Sequence, residues 1–303
     1  MAQQNETYER LTESIVQSLE AAAANGTAAP WQKPWRESGI MPYNPITGTE
    51  YSGVNRIILM LAGGGAFSTF KQIAEKKGKV RKGAKGIQVC YFGTSVKAEE
   101  NENGEESRHS FRFLRTYYVF RWADVEGIEN PAPRGLCESV VPEIERCEAI
   151  VAGYRARASA PRFAFDSHNG AYYVPMSDMI HMPNRNDFTS SESYYDTLYH
   201  EMAHSTGHQS RLARLDPVQS VIKCGDEYGK EELVAELTSC FLAHEAQIDL
   251  PIRANQEAYL RSWLRTIKQE PRLLVSSASA AQKAADYILS LSGEDVVRRF
   301  LCG

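Results

Sequence analysis

Five consecutive residues, His200-Glu201-Met202-Ala203-His204, have the types and spacing of a metal-dependent hydrolytic centre. An α-helix turns about 100° per residue, so positions four apart stand one above the other on one face. Two imidazoles held that way can bind a single Zn²⁺. Glu201, one step off that face, can reach a water on the metal and take its proton. The helix that must carry these groups is readable on either side of them. Residues 189–207 keep helical spacing and open on Thr189-Ser190-Ser191-Glu192, the order of a capping box.

A catalytic ion needs a third protein ligand and an open fourth position. Gly207 falls where the metzincin pattern has its glycine, but that pattern requires histidine at 210, and Ser210 stands there. His208 lies eight residues past His200, about 12 Å along a continuing helix, which is too far for ligation. It is assigned to a supporting position beside the site. The better ligand lies in Lys230-Glu231-Glu232-Leu233-Val234-Ala235-Glu236-Leu237, the opening of a second long helix. Glu232 and Glu236 share a face there, and Leu233, Leu237, Phe241 and His244 mark an apolar side. Glu232 is assigned to the metal and Glu236 to the ring N–H of a ligand histidine, which is gluzincin logic. Tyr228, four residues before Glu232, is the expected oxyanion donor. The competing reading makes these glutamates a solvated acidic first turn, favourable at any helix N-terminus. The companion His-Glu-x-x-His helix outweighs it. Mn²⁺ or another divalent ion fits the same ligand set.

At 303 residues, 43% apolar and 24% charged, the chain has the profile of a two-domain globular protein. Its richest apolar stretch, 57–67, is broken by Gly63-Gly64-Gly65 and is too short to span a bilayer, so no membrane partner is expected. The N-terminus has no basic region leading into an apolar run. Six cysteines form no CxxC pair, which fits free thiols and a cytoplasmic location. The net charge of −4 is unevenly spread: residues 31–97 hold eleven Lys and Arg against three acidic residues. A basic segment in an acidic chain suggests a local site for a polyanion.

Along the chain, Tyr8, Leu11, Ile15 and Leu19 space an amphipathic helix over 6–24. A proline-fixed loop follows at 29–35, then a turn at Asn44-Pro45-Ile46-Thr47-Gly48. Helices are expected at 54–62 and 68–76, strands at 87–92 and 111–121, and an exposed polar hairpin tip or loop over 98–109. Gly127, Pro131, Pro133, Gly135 and Pro142 mark a linker. Beyond it a helix over 142–159, a hairpin turning at Asn169-Gly170 and a short edge at 180–183 lead to the metal helix. Such an edge can hold an extended peptide as an added strand. Further helices follow residue 229. The expected class is α+β: a small α/β domain at 1–126, a linker at 127–141 and a second domain at 142–303.

The first domain interleaves rings with cations: Trp31, Lys33, Trp35, Arg36, Tyr51, Asn55, Arg56, Phe70 and Lys71, followed by Lys79, Arg81, Lys82 and Lys85. A strand over 111–121 would align Phe111, Phe113, Arg115, Tyr117 and Arg121 on one face. Single-stranded nucleic acid is bound by such mixtures, bases stacking on rings while cations neutralise phosphates. For an individual Phe or Tyr a place in a small core is the simpler explanation. Trp31 and Trp35, flanked by prolines in a polar loop, are assigned to binding. Residues 78–85 look briefly like a phosphate loop, but Ala84 stands where lysine is needed and no Ser or Thr follows.

The chain resembles the ArdC-type antirestriction proteins of conjugative plasmids and the related N-terminal regions of plasmid primase TraC. The resemblance rests on Pro30-Trp31-Gln32-Lys33-Pro34-Trp35, Asn44 to Gly48, Tyr51-Ser52-Gly53-Val54-Asn55, Thr69-Phe70-Lys71-Gln72 and Val80-Arg81-Lys82-Gly83. In the second half it rests on Ile180-His181-Met182-Pro183, Phe188, Tyr194-Tyr195, residues 200–208, Ser210-Arg211-Leu212 and residues 231–236. Arg121-Trp122-Ala123-Asp124 departs from the more usual polar segment. The resemblance implies a domain that binds single-stranded DNA joined to a zincin-like metallopeptidase domain, protecting transferred DNA from restriction. Two rivals stand beside it. One is a DNA shield whose zincin half cleaves nothing; the other is a DNA-dependent metalloprotease acting on a restriction enzyme or another DNA-bound protein.

Overall fold

Helices from both ends of the chain meet in one core, and the metal helix runs through it. The computed structural model describes residues 2–25, 41–100, 106–129, 143–167, 170–215, 226–248 and 256–289. Its first half contains α1 (Ala2–Asn25), α2 (Gly53–Leu61), β1 (Phe67–Thr69), α3 (Phe70–Glu75), β2 (Lys79–Val80), β3 (Ile87–Glu100), β4 (Glu106–Arg121) and β5 (Val125–Glu126). The second half contains α4 (Glu143–Arg155), β6 (Arg162–Ala164), β7 (Tyr172–Val174), β8 (Met179–His181), α5 (Ser191–Thr206), α6 (Asp226–Ala246), α7 (Gln256–Gln269) and α8 (Pro271–Leu289). No helix among the described residues is long and apolar enough to cross a membrane.

The spacing that predicts α1 also explains what it does. Leu11, Ile15 and Leu19 fall on one stripe and are buried, and α1 packs against α2, α7 and α8. Ile57 and Ile58 of α2 join the same core as Leu237 and Phe241 of α6 and Leu274 of α8. The two halves are thus packed together.

β3 and β4 form a long antiparallel hairpin with register Ile87↔Val119 through Glu100↔Glu106, and β1 adds to the other edge of β4. At its inner end both faces are covered: Val89 and Val119 meet Leu59 and Phe67 in a small second core, while Cys90 turns into the main one. The polar segment expected as a hairpin tip is largely strand, because ladder hydrogen bonds between backbones do not require apolar side chains.

The sheet before the metal helix corrects the expected hairpin. β6 and β7 do not pair; β8 lies between them, parallel to β6 and antiparallel to β7. What reads as an edge at 180–183 is therefore the central strand, with Ile180 and Met182 buried. Most of the expected linker, residues 130–141, lies outside the described residues.

Candidate metal centre and nucleic-acid face

The metal helix starts one residue later than the sequence suggests. Ser190, not Thr189, is the N-cap, its hydroxyl accepting from the Ser193 N–H, and α5 then runs to Thr206. Tyr195, Leu198, Tyr199, Met202 and Ala203 fix its buried face. The Ser239 hydroxyl of α6 donates to Asp196 Oδ1 at 2.7 Å, pinning the two helices side by side.

That approach closes the ligand triangle. His200 Nε2 and His204 Nε2 stand 3.1 Å apart. Glu232 Oε2 is 3.4 Å from His200 Nε2, and its Oε1 is 3.4 Å from His204 Nε2. Tetrahedral coordination with bonds of about 2.0–2.1 Å separates ligand atoms by about 3.3 Å. The three side chains therefore fit a small divalent ion, and they are the one group of His, Cys, Asp and Glu among the described residues that converges in this way. Glu201 is buried in the same helix at 7% exposure.

The electrostatics agree. Burial alone would lower the His204 imidazole, but Glu231 and Glu232 outweigh it and lift its pKa to about 10. Burial alone would raise the Glu232 carboxyl; His200 and His204 hold it far below the usual carboxylate range instead. The site is built for a positive charge.

Two carboxylates stand behind the ligand rings, and the sequence reading finds one of them. Glu236, assigned to accept a ring N–H, has its Oε2 3.7 Å from His200 Nδ1, beyond hydrogen-bond range, and that nitrogen has no hydrogen-bond partner among the described residues. Glu231 Oε1, read only as part of an acidic turn, lies 3.6 Å from His204 Nδ1. His208, assigned beside the site, lies in the turn that follows the metal helix. α5 has ended by then, and His208 Nδ1 bonds instead to the Ser210 hydroxyl at 2.8 Å. Tyr228 sits in the first turn of α6, its side chain outside the described set. Arg211 of the Ser210-Arg211-Leu212 motif is fully buried, donating to the Ser205 and Ser159 carbonyls and to Asp178; it is a brace rather than a ligand group.

The expected DNA-binding residues separate into two sets. Asn55 clamps β3, donating to the Cys90 carbonyl at 2.7 Å and accepting from its N–H at 2.9 Å. Arg56 is 3% exposed, its guanidinium 4.4 Å over the Phe241 ring and 3.8 Å from Glu245. The Tyr51 hydroxyl donates to the Phe67 carbonyl, and burial pushes it up to about 12. Asn55 and Arg56 are turned inward by α2, and Tyr51, just before it, is tied to β1. In contrast, Phe70, Tyr91, Phe92, Tyr117 and Tyr118 are 42–61% exposed, and Lys71, Lys79, Arg81, Lys82, Lys85 and Arg115 are exposed as well. Trp31, Lys33, Trp35 and Arg36 lie outside the described residues.

Two exposed rings, Phe70 and Tyr91, are positioned by residues without binding chemistry of their own. Thr69 and Gln72 form a reciprocal capping box at the start of α3. Asn44 ties its own turn to that box, accepting from Ile46 N–H and Ser68 Oγ and donating to Gln72 Oε1 at 2.9 Å. Phe70 therefore leaves a braced backbone and points outward. Across the hairpin, Gly93 makes room for the Phe113 ring, which a Cβ there would meet at 2.3 Å. Tyr91 lies 6.3 Å from that ring, and the Arg115 guanidinium lies 4.8 Å from its centre.

Residues 5–120 match the N-terminal domain of anti-restriction factor ArdC, and residues 148–280 match the zincin-like metallopeptidase family. Two Escherichia coli DNA primases TraC are each 32% identical over 95% of this chain, which spans only 27% and 20% of their length. An uncharacterised protein of Sinorhizobium fredii, y4eC, is 30% identical over 93% of this chain and 91% of its own. Crystal structures of the antirestriction ArdC protein from plasmid R388, one metal-free and one Mn(II)-bound, align at a TM-score of 0.69 and 34% identity. They cover 93% of this chain and 96% of theirs. This chain belongs to the ArdC family of antirestriction proteins.

Proposed function

We propose that the protein shields incoming plasmid DNA from restriction in the cytoplasm by gripping single strands, and that its second half is a zinc-dependent peptidase. The convergence of His200, His204 and Glu232 beside the buried Glu201 carries this reading. Phe70, Tyr91, Phe113 and Tyr117 offer rings for bases, each stacked base being worth about 1–3 kcal/mol. Lys71, Lys79, Arg81, Lys82, Lys85 and Arg115 face phosphates, with Trp31, Lys33, Trp35 and Arg36 contributing from the preceding segment.

His200, His204 and Glu232 would hold Zn²⁺ or Mn²⁺, and an ArdC structure from plasmid R388 is Mn(II)-bound. Once bound, the ion polarises a peptide carbonyl and lowers the pKa of a water. The Glu201 carboxylate would take a proton from the attacking water as the water oxygen bonds to the carbonyl carbon. It then delivers the proton to the nitrogen as the C–N bond breaks. Tyr228 donates to the developing oxyanion.

Glu201→Gln tests the assignment, because the amide keeps the shape but cannot accept the proton. The variant retains metal and DNA binding and loses peptide hydrolysis. If it protects DNA against a restriction challenge as well as the parent does, proteolysis is dispensable to shielding. A second reading, cleavage of a restriction enzyme or other DNA-bound protein only when DNA is held, is favoured by Arg56. This residue follows the Asn55 clamp on β3 and packs on Phe241 of the metal-bearing helix α6. Under this reading, adding single-stranded DNA raises peptidase turnover; unchanged turnover contradicts it.

A further inference from the structure

We infer that Arg214 and Glu231 form a positioning relay that sets the ring of His204 and thereby the affinity of the site for its ion. The inference rests on the metal-centre reading. Arg214 holds both oxygens of Glu231, Nη2 to Oε1 at 2.8 Å and Nε to Oε2 at 3.2 Å. A bidentate guanidinium–carboxylate pair fixes the plane as well as the place of the carboxylate. Arg214 is itself fastened to the metal helix: Nη1 donates to Thr206 Oγ1 at 2.9 Å and Nη2 to the Ala203 carbonyl at 3.1 Å. The held carboxylate faces His204 Nδ1 at 3.6 Å. A shift of about 0.5 Å brings that pair into hydrogen-bond range.

The return of the chain that delivers Arg214 has its own local cause. α5 stops at Gly207, whose carbonyl accepts from the N–H groups of Arg214 and Leu215. A Cβ on Gly207 would lie 2.7 Å from Leu215 Cγ, so glycine permits this close approach. Sequence spacing to a metzincin histidine misplaces the role of this glycine. It lets residues 208–215 fold back so that an arginine, not a histidine, reaches the site.

Each ligand ring has a carboxylate behind it. His200 has behind it Glu236, a carboxylate 3.7 Å from Nδ1. His204 has one clamped by a cation that its own helix anchors. Carboxylates behind ligand histidines orient the ring and raise its basicity, and losing one typically costs about 10–100-fold in metal affinity.

The test is Zn²⁺ affinity by chelator competition on the full chain, together with the Co²⁺ absorption spectrum and the melting temperature without metal. Glu231→Gln, nearly isosteric, weakens Zn²⁺ about 10–100-fold and shifts the Co²⁺ spectrum while the metal-free melting temperature holds. Arg214→Lys keeps the positive charge but loses the fork, and weakens Zn²⁺ by less. Adding R214K to E231Q then costs nothing further, because the two act in series. Wild-type affinity in both single variants overturns the relay and leaves the metal centre standing. Additive losses in the double variant also overturn it. If wild type itself binds no Zn²⁺, the metal-centre reading fails and takes the relay with it.

Discussion

The metal centre and the basic face look equally promising in sequence, yet the fold treats their residues in opposite ways. At the centre, residues chosen for their chemistry face one another. On the basic face, three of the ten described choices are turned inward: Asn55 is a strand clamp, Arg56 a buried cation and Tyr51 a backbone donor. The metal motif encodes its own geometry, since two ligands share one helix turn. A mixture of rings and cations encodes composition only, and composition does not say which way a side chain points.

The sharpest way to break that comparison is Arg56. If it is a core cation, Arg56→Ala removes a buried guanidinium that packs on Phe241 and faces Glu245, and costs about 3 kcal/mol in denaturant unfolding. If it instead binds phosphate from the surface, stability is unchanged and DNA affinity falls. Phe70 is its opposite. At 61% exposure, Phe70→Ala weakens single-stranded DNA by about 1–3 kcal/mol in a fluorescence titration, with no change in melting temperature. Asn55→Ala melts earlier, because two backbone groups of Cys90 lose their partner.

Acid sharpens the contrast further. Burial, together with the nearby charge of Arg56, holds the His244 imidazole down at about 3. An unfolded histidine titrates near 6.5. Between those values the unfolded chain binds the extra proton and the folded chain does not, so stability falls as pH drops through that window. The slope from this residue is at most about 1.4 kcal/mol per pH unit. His244→Gln should flatten the acid limb of a stability–pH curve; an unaltered limb would show the imidazole to be in contact with water.

The smallest effect is expected from Arg81, whose exposed pair with Glu126 is worth little to stability. Arg81→Gln leaves unfolding within about 0.5 kcal/mol. It lowers the log–log salt slope of single-strand binding by about 0.7, the share of one phosphate contact. An unchanged slope removes Arg81 from the interface.

What was legible in the sequence follows from how local each feature is. α1 was readable from Leu11, Ile15 and Leu19, but not its partners α7 and α8, which lie some 250 residues away. Glu232 and Glu236 were readable as helix neighbours on one face. Glu231 was not, because it points about 100° away from Glu232 and meets His204 only through the way α6 lies across α5. Arg214 was invisible for the same reason. β6 and β7 read as a hairpin because their intervening turn is local, whereas the insertion of β8 between them is a tertiary event. The Asn44, Thr69 and Gln72 motifs read as part of a resemblance, and the fold gives them a job: a hydrogen-bonded frame that turns Phe70 outward.

X-ray absorption on the zinc-loaded chain tests the central claim most directly. The account predicts one ion per chain with two imidazole nitrogens and a carboxylate oxygen at about 2.0–2.2 Å, and loss of the oxygen shell in Glu232→Gln. A chain that takes up no ion at stoichiometric Zn²⁺, or an ion whose shell is unchanged by Glu232→Gln, would contradict it.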